Sequence, residues 1–162
     1  MAEVYYLSPL GITHIVEEDG FIIKVSIRDE ETLTPTITEV AVLNLAIKQL
    51  EEYFAGSRKE FDLPLNQPGS DFQKTVWQEL LKIPYGTTIT YGQQSQKMQN
   101  PLGIRAIAAA NGRNNLWIIV PCHRVIGSNG NLTGYAGGLW RKKWLLEHEA
   151  KVCGVGQTTL AF

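Results

Sequence analysis

Cysteine is scarce in this chain, with only Cys122 and Cys153 among 162 residues. A protein of this length buries about 70 % of its unfolded surface, enough core to need no disulfide staple, so both thiols are expected to be free. Histidine is nearly as rare, and His14 is the only Cys or His in the first 70 residues. Neither cysteine has a second Cys or His at metal-ligand spacing, which argues against a structural zinc site; no metal and no cofactor is expected. Long apolar runs are missing too: none reaches the ~18–20 residues that span a bilayer. Glu3 stands where a secretory leader carries basic residues. The expectation is a soluble protein, cytoplasmic or nuclear, with no membrane partner. Hydrophobic residues at 44 % and charged ones at 19 % are ordinary for a globular chain, so disordered, collagen-like and mucin-like readings fall away.

What is present is an uneven distribution of charge. Residues 1–70 hold 5 Lys/Arg against 12 Asp/Glu, whereas residues 71–162 hold 10 against 4. A basic half joined to an acidic one suggests a polyanion partner for the basic half, although two ordinary solvated faces would give the same arithmetic.

The first thirty residues read as strands over Val4 to Leu7, Ile12 to Glu17 and Phe21 to Ile27, the last two joined by the hairpin dipeptide Asp19-Gly20. Thr36 and Glu39 fit a capping box that would open a helix with a Leu43, Ile47, Leu50, Phe54 stripe, stopped by Gly56. A short strand around Phe61 to Leu63 and a linker from Pro64 to Gly69 complete a part that carries no evident chemistry. A second capping box, Ser70 to Gln73, begins a helix whose Phe72, Val76, Leu80 and Leu81 should face a core, ended by Pro84. Thr90 with Gln93 caps a short polar helix from Tyr91 to about Met98. A turn at Pro101 and Gly103 follows, then a helix from Ile104 to about Asn111. Helix, tight turn and helix in a basic segment suggest a helix-turn-helix.

That second helix is a poor reader of base edges, with Arg105 as its one charge among Ala106, Ala108, Ala109 and Ala110. A smooth face with a single arginine suits minor-groove docking and a wedge, but it also fits an ordinary core helix with Arg105 reaching to solvent. From Leu116 to Val120 the chain reads as a buried strand running into Pro121-Cys122-His123-Arg124-Val125. A lone cysteine at a strand end is commonly inert core, yet this one has an imidazole beside it. Neighbours on a straight strand point to opposite faces, so the pair can cooperate only if the chain turns or a water bridges them. The flexible Gly127 to Gly130 and Gly134 to Gly138 stretches fit no phosphate loop. The final helix, Trp140 to about Glu149, puts Glu149 on the Leu145, Leu146 stripe, where a buried acid would need a partner. His123 is the candidate, and a frayed end with Glu149 in solvent is the alternative. Residues 151–162 read as a loose tail, with Cys153 a bystander thiol.

Ile119 to Ile126 with its Pro-Cys-His-Arg-Val core, Gly134-Tyr135, Gly137-Gly138-Leu139 and Lys143 to Glu149 together resemble the O6-alkylguanine-DNA alkyltransferases. Phe72-Gln73, Val76-Trp77, Ile83 to Gly86, Thr90-Tyr91, Arg105-Ala106, Ala110 to Gly112 and Asn114 extend the resemblance over residues 70–150. It implies an α+β fold: a small ribonuclease-H-like α/β N-terminal domain over 1–69, then a mainly helical C-terminal domain over 70–150 that contains the helix-turn-helix, binds DNA and accepts the alkyl group. The implied activity is direct DNA repair as a methylated-DNA-protein-cysteine methyltransferase: irreversible, single-turnover transfer from O6-alkylguanine to the Cys122 thiolate. O4-alkylthymine is left open as a second substrate. The implied partner is lesion-bearing double-stranded DNA, held through its minor groove largely without sequence preference by a monomer.

On the family's pattern His123 keeps Cys122 ionised through a water, Glu149 orients His123, and Tyr91 hydrogen-bonds or protonates the departing guanine. Arg105 fills the place of the flipped base, with Thr90, Tyr91, Ala106, Ala108 and Ala109 against the DNA. Asn114 braces the helix-turn-helix, and Cys122, Val125, Tyr135 and Ala136 line the pocket with Tyr91. Departures are modest: Asn115 follows Asn114 where the family often has Pro, Gln93 to Asn100 is Gln-rich, and Ala136 stands where some members carry Ser. The zinc ligands some members carry near the N-terminus are missing. Three other readings compete: an alkyltransferase-like protein that binds lesions without transfer, against which Cys122 argues, a helix-turn-helix regulator, and a cysteine hydrolase.

Overall fold

A computed structural model describes residues 1–29 and 33–154, and the chain divides into two compact units. The first comprises Met1–Pro68 with Asn115–Ile119, and the second Gly69–Asn114 with the chain from Val120 onward.

In the first unit β1 (Ala2–Ser8), β2 (Gly11–Glu18) and β3 (Phe21–Arg28) form an antiparallel meander. Asp19 and Gly20 both take positive φ, 53° and 83°, which gives the β2–β3 hairpin the backbone twist its strands need. The helix α1 (Ala41–Ala55) packs on this sheet through Leu43, Ala46, Leu50 and Tyr53. Ile47 and Phe54, expected on the stripe, are only half-buried. The expected cap does not form either. Thr36 is drawn to the open edge of β1, where its N–H donates to the Tyr5 carbonyl and its hydroxyl accepts from the Tyr5 N–H, so α1 begins five residues later without a side-chain cap. Two strand expectations also fail. Phe61 to Leu63 is irregular, and the sheet is extended only by a bridge from Ile22 to Leu65. The apolar run Leu116 to Val120 is buried as expected, except for half-buried Trp117, but it is a set of turns. Leu116 bridges Val25, Ile118 takes φ 72°, and the Ile119 N–H donates to the Trp117 carbonyl.

The second unit begins with α2 (Asp71–Leu80), whose Ser70–Gln73 capping box is fully formed. Val76, Trp77 and Leu80 are its buried face, while Phe72 and Leu81, expected in the core, lie largely exposed. Next come β4 (Ile89–Thr90), α3 (Tyr91–Lys97) and α4 (Ile104–Gly112). Thr90 and Gln93 make the second complete capping box. A 3-10 turn over Cys122–Arg124 leads into β5 (Val125–Ile126), which pairs parallel with β4. The last helix, α5 (Leu139–Val152), runs three residues beyond Glu149, so Lys151 and Val152 are helical rather than tail; the rest of the expected tail from residue 155 lies outside the described residues. No helix of the described residues is long and apolar enough to cross a membrane.

Candidate active site

Pro121, at φ −83° and ψ 61°, turns the chain out of the apolar run, and the next three residues coil into one 3-10 turn. The alternation of a straight strand is thereby broken. Cys122 is half-buried and next to a fully buried His123. Asn114, just beyond the end of α4, donates from Nδ2 to the Val120 carbonyl at 2.9 Å and lies 3.4 Å from Cys122 Sγ, so one amide ties the helix-turn-helix to the turn. Burial pushes the Cys122 thiol up, while the Asn114 amide, the Lys142 ammonium and a backbone N–H pull it down.

Behind the cysteine lies a closed ionic cluster. His123 Nε2 stands 2.7 Å from Glu149 Oε2. Arg124 grips the same carboxylate with one edge of its guanidinium, Nε to Oε1 at 2.8 Å and Nη2 to Oε2 at 3.1 Å, and its Nη1 donates to the Ile83 carbonyl at 2.7 Å. The Gly86 N–H adds a further donor to Oε1 at 3.1 Å. Gly86 holds φ 78°, and a Cβ there would fall 2.5 Å from Cys153 Sγ, so both conformation and space select glycine. Burial opposes the charge on Glu149, but His123 and Arg124 outweigh it and hold the carboxyl well below its ordinary range. Burial pushes the His123 imidazole down; Glu149 opposes this, and Arg124 and Lys142 add to it, so the ring is neutral near pH 7. Its Nδ1 has no hydrogen-bond partner among the described residues, and no direct hydrogen bond links it to Cys122.

Lys142 is a group that the sequence reading passed over. It is fully buried and donates from Nζ to the Thr133 carbonyl at 2.8 Å and the Gly134 carbonyl at 3.3 Å. The Tyr91 hydroxyl donates to the same Thr133 carbonyl at 3.2 Å, and Nζ stands 5.9 Å from the Tyr91 ring centre. Burial lowers the Lys142 pKa to about 8, partly offset by Cys122. Arg124 was likewise unassigned. A spacing signal existed for Lys142, which lies three residues before Leu145 and seven before Glu149, on one inward stripe of α5. The Tyr135 hydroxyl is buried and its pKa rises with burial and the nearby Cys122. Val125 is fully buried in β5, and Ala136 is exposed.

The two helices after β4 are locked by reciprocal amide hydrogen bonds between Gln94 and Asn111, at 2.9 and 2.8 Å. Trp77 Nε1 donates to the Ala110 carbonyl at 2.9 Å and fixes α4 to α2. Arg105, Ala106 and Ala109 are left exposed, with Ala108 half-buried, and Thr90 is half-buried at the cap of α3. Arg105 therefore lies on the open face of α4.

Comparison with known proteins agrees with this arrangement. Residues 1–67 match the family described as 6-O-methylguanine DNA methyltransferase, ribonuclease-like domain, and residues 71–151 match the same family's DNA binding domain. A methylated-DNA–protein-cysteine methyltransferase of Mycobacterium tuberculosis is 48 % identical over 124 residues, 74 % of this chain and 75 % of that protein. The constitutive one of Bacillus subtilis is 47 % identical over 137 residues, 80 % of this chain and 83 % of its own. Among solved structures, M. tuberculosis OGT in complex with DNA superposes with a TM-score of 0.82 at 41 % identity, covering 93 % of each chain. The chain belongs to the O6-methylguanine DNA methyltransferase family, and its fold is the two-domain α+β fold of that family.

Proposed function

We propose that this protein repairs DNA by taking the alkyl group of O6-alkylguanine irreversibly onto Cys122, once per molecule. The observation that carries this reading is the convergence on one half-buried thiol: Asn114 and Lys142 from its sides, and a neutral His123 held by Glu149 and Arg124 behind it. In the step, sulfur attacks the alkyl carbon, the S–C bond forms, and the C–O6 bond breaks with its electron pair passing into the base. The thiol proton moves toward His123 Nδ1 through a bridging water, and the guanine regains one proton as it leaves, with the Tyr91 hydroxyl as donor. Tyr91 must release Thr133 to serve; Lys142 continues to hold that carbonyl. The product thioether has no route back, so the protein is consumed.

The partner in this reading is a lesion-bearing duplex. An O6 atom inside a stack is out of reach, so the base must be extruded at a cost of a few kcal/mol, and Arg105 on the open face of α4 fills the gap it leaves. Ala106, Ala108 and Ala109 let the helix approach the minor groove without reading bases, with Thr90 and Tyr91 at the start of α3 beside them. Tyr135, Ala136 and the Val125 backbone complete the pocket around Cys122. The protein acts as a monomer and needs no cofactor.

With excess duplex carrying O6-methylguanine, methyl removal should plateau at one group per protein molecule, and Cys122→Ser should remove none. Continued turnover would instead indicate a catalyst that regenerates. Lesion-selective binding with no methyl removed would indicate recognition alone.

A further inference from the structure

β3 is an outer strand of its sheet, and its open edge holds two other pieces of the first unit. The Ile22 N–H donates to the Pro64 carbonyl at 2.8 Å, and the Asn66 N–H donates to the Ile22 carbonyl at 3.0 Å. Farther along, the Val25 N–H donates to the Asn115 carbonyl at 2.8 Å, and the Trp117 N–H donates to the Val25 carbonyl at 3.0 Å. Gln67 joins the two pieces, because its Oε1 accepts from the Asn115 N–H. Both polar groups of the Asn115 backbone are thus engaged, the carbonyl by β3 and the N–H by Gln67.

Asn115 is where the chain passes into the first unit, and Val120 is where it returns to the second. Immediately before this excursion stands Asn114, whose Nδ2 donates to the Val120 carbonyl at 2.9 Å and lies 3.4 Å from Cys122 Sγ. The N–H that Gln67 holds belongs to the same planar peptide group as the Asn114 carbonyl. Fixing that plane opposes the ψ rotation of Asn114 that would swing its amide away from Val120 and Cys122.

We propose that Gln67 is a positioning residue for the alkyl acceptor: by accepting from the Asn115 N–H, it keeps the Asn114 amide directed at Cys122 Sγ. This rests on the function proposed above. Gln67 acts only through the Asn114–Asn115 peptide. Its own backbone is placed in advance, since Asn66 beside it is tied to Ile22, so the bond to Asn115 orders little more than one side chain. The Asn114 amide favours the Cys122 thiolate, and an amide free to turn away leaves more of the thiol protonated. A linker residue with no chemistry of its own therefore acts on the reactive sulfur.

The test uses the full chain in a Cys153→Ser background, with two readouts: the pH profile of Cys122 alkylation by iodoacetamide, and the single-turnover rate of methyl transfer from a duplex carrying O6-methylguanine. Gln67→Ala should move the profile to higher pH and slow transfer by up to about fivefold, the worth of one hydrogen bond. Gln67→Met, of similar length but without the oxygen, should do the same and serves should the alanine variant fold poorly. Gln67→Glu, which keeps an acceptor oxygen at the same reach, should stay near the parent in both readouts. In Asn115→Pro, which has no N–H to give, Gln67→Ala should change nothing further. A merely structural contact would lower the unfolding midpoint of Gln67→Ala and leave the pH profile unmoved, which would overturn the proposal. A Glu variant as impaired as the alanine one, or a further loss in the Asn115→Pro background, would overturn it as well. A parent protein that transfers no methyl group would overturn the underlying function, and the iodoacetamide profile would still decide this inference.

Discussion

Glu149 accepts from Arg124 and the Gly86 N–H in a site 1 % exposed and lies 2.7 Å from His123 Nε2, so its charge is needed to match that of the buried guanidinium. Glu149→Gln keeps the shape but strands Arg124, and should cost about 3 kcal/mol in urea unfolding at pH 7. The folded carboxyl titrates well below its ordinary 4.5, so its stabilisation is complete above about that pH and is lost as acid carries the solution below it. The gap between wild type and Glu149→Gln should therefore narrow below pH 4.5. Lys142 gives a second test. Its ammonium favours the Cys122 thiolate, so Lys142→Met should shift the pH profile of Cys122 alkylation by iodoacetamide to higher pH, in a Cys153→Ser background; an unmoved profile would contradict this role. Above pH 8 the wild type loses that help as Lys142 itself deprotonates. At this scale the sequence pointed to Glu149 as an inward acid with His123 as its candidate partner, because helical spacing makes such an acid visible, and the two side chains do meet at 2.7 Å. Arg124 was hidden because it sits in a three-residue 3-10 turn, too short for any periodic pattern to mark its side chain as inward.

Helix starts were legible where the signal was local. Ser70 with Gln73 and Thr90 with Gln93 both close reciprocal boxes within a single turn, whereas Thr36 lost its box to a strand 31 residues away. Strand assignment failed at Leu116 to Val120 because a short apolar run specifies burial and not backbone shape. The positive φ of Ile118 has no sequence signature. The caps lead to a paired prediction. Ser70→Ala and Thr90→Ala should each cost about 1 kcal/mol in thermal unfolding. Only Thr90→Ala should also slow methyl transfer from duplex DNA, since it loosens the turn that carries Tyr91. Equal slowing by both would show that the effect is general destabilisation.

The charge division seen in the sequence at residue 70 coincides with the boundary between the units at Pro68 and Gly69, and the Asn115–Ile119 segment contributed to the first unit carries no charge. The basic second unit is thus an electrostatic surface in its own right. Duplex affinity should fall linearly in log salt, with a slope of about −0.9 per neutralised phosphate. Arg105→Ala, if Arg105 enters the stack, should slow transfer from duplex DNA at least tenfold while leaving that slope unchanged; a lost phosphate contact alone would weaken binding and flatten the slope by about 0.9 without a separate defect in transfer. The most direct test of the whole account is peptide mass spectrometry after mixing the protein with one equivalent of a duplex carrying a single O6-methylguanine. One methyl group should be added, on the peptide containing Cys122 and absent from Cys122→Ser. A methyl group on Cys153, or no methyl group on any residue while the lesion stays bound, would contradict it.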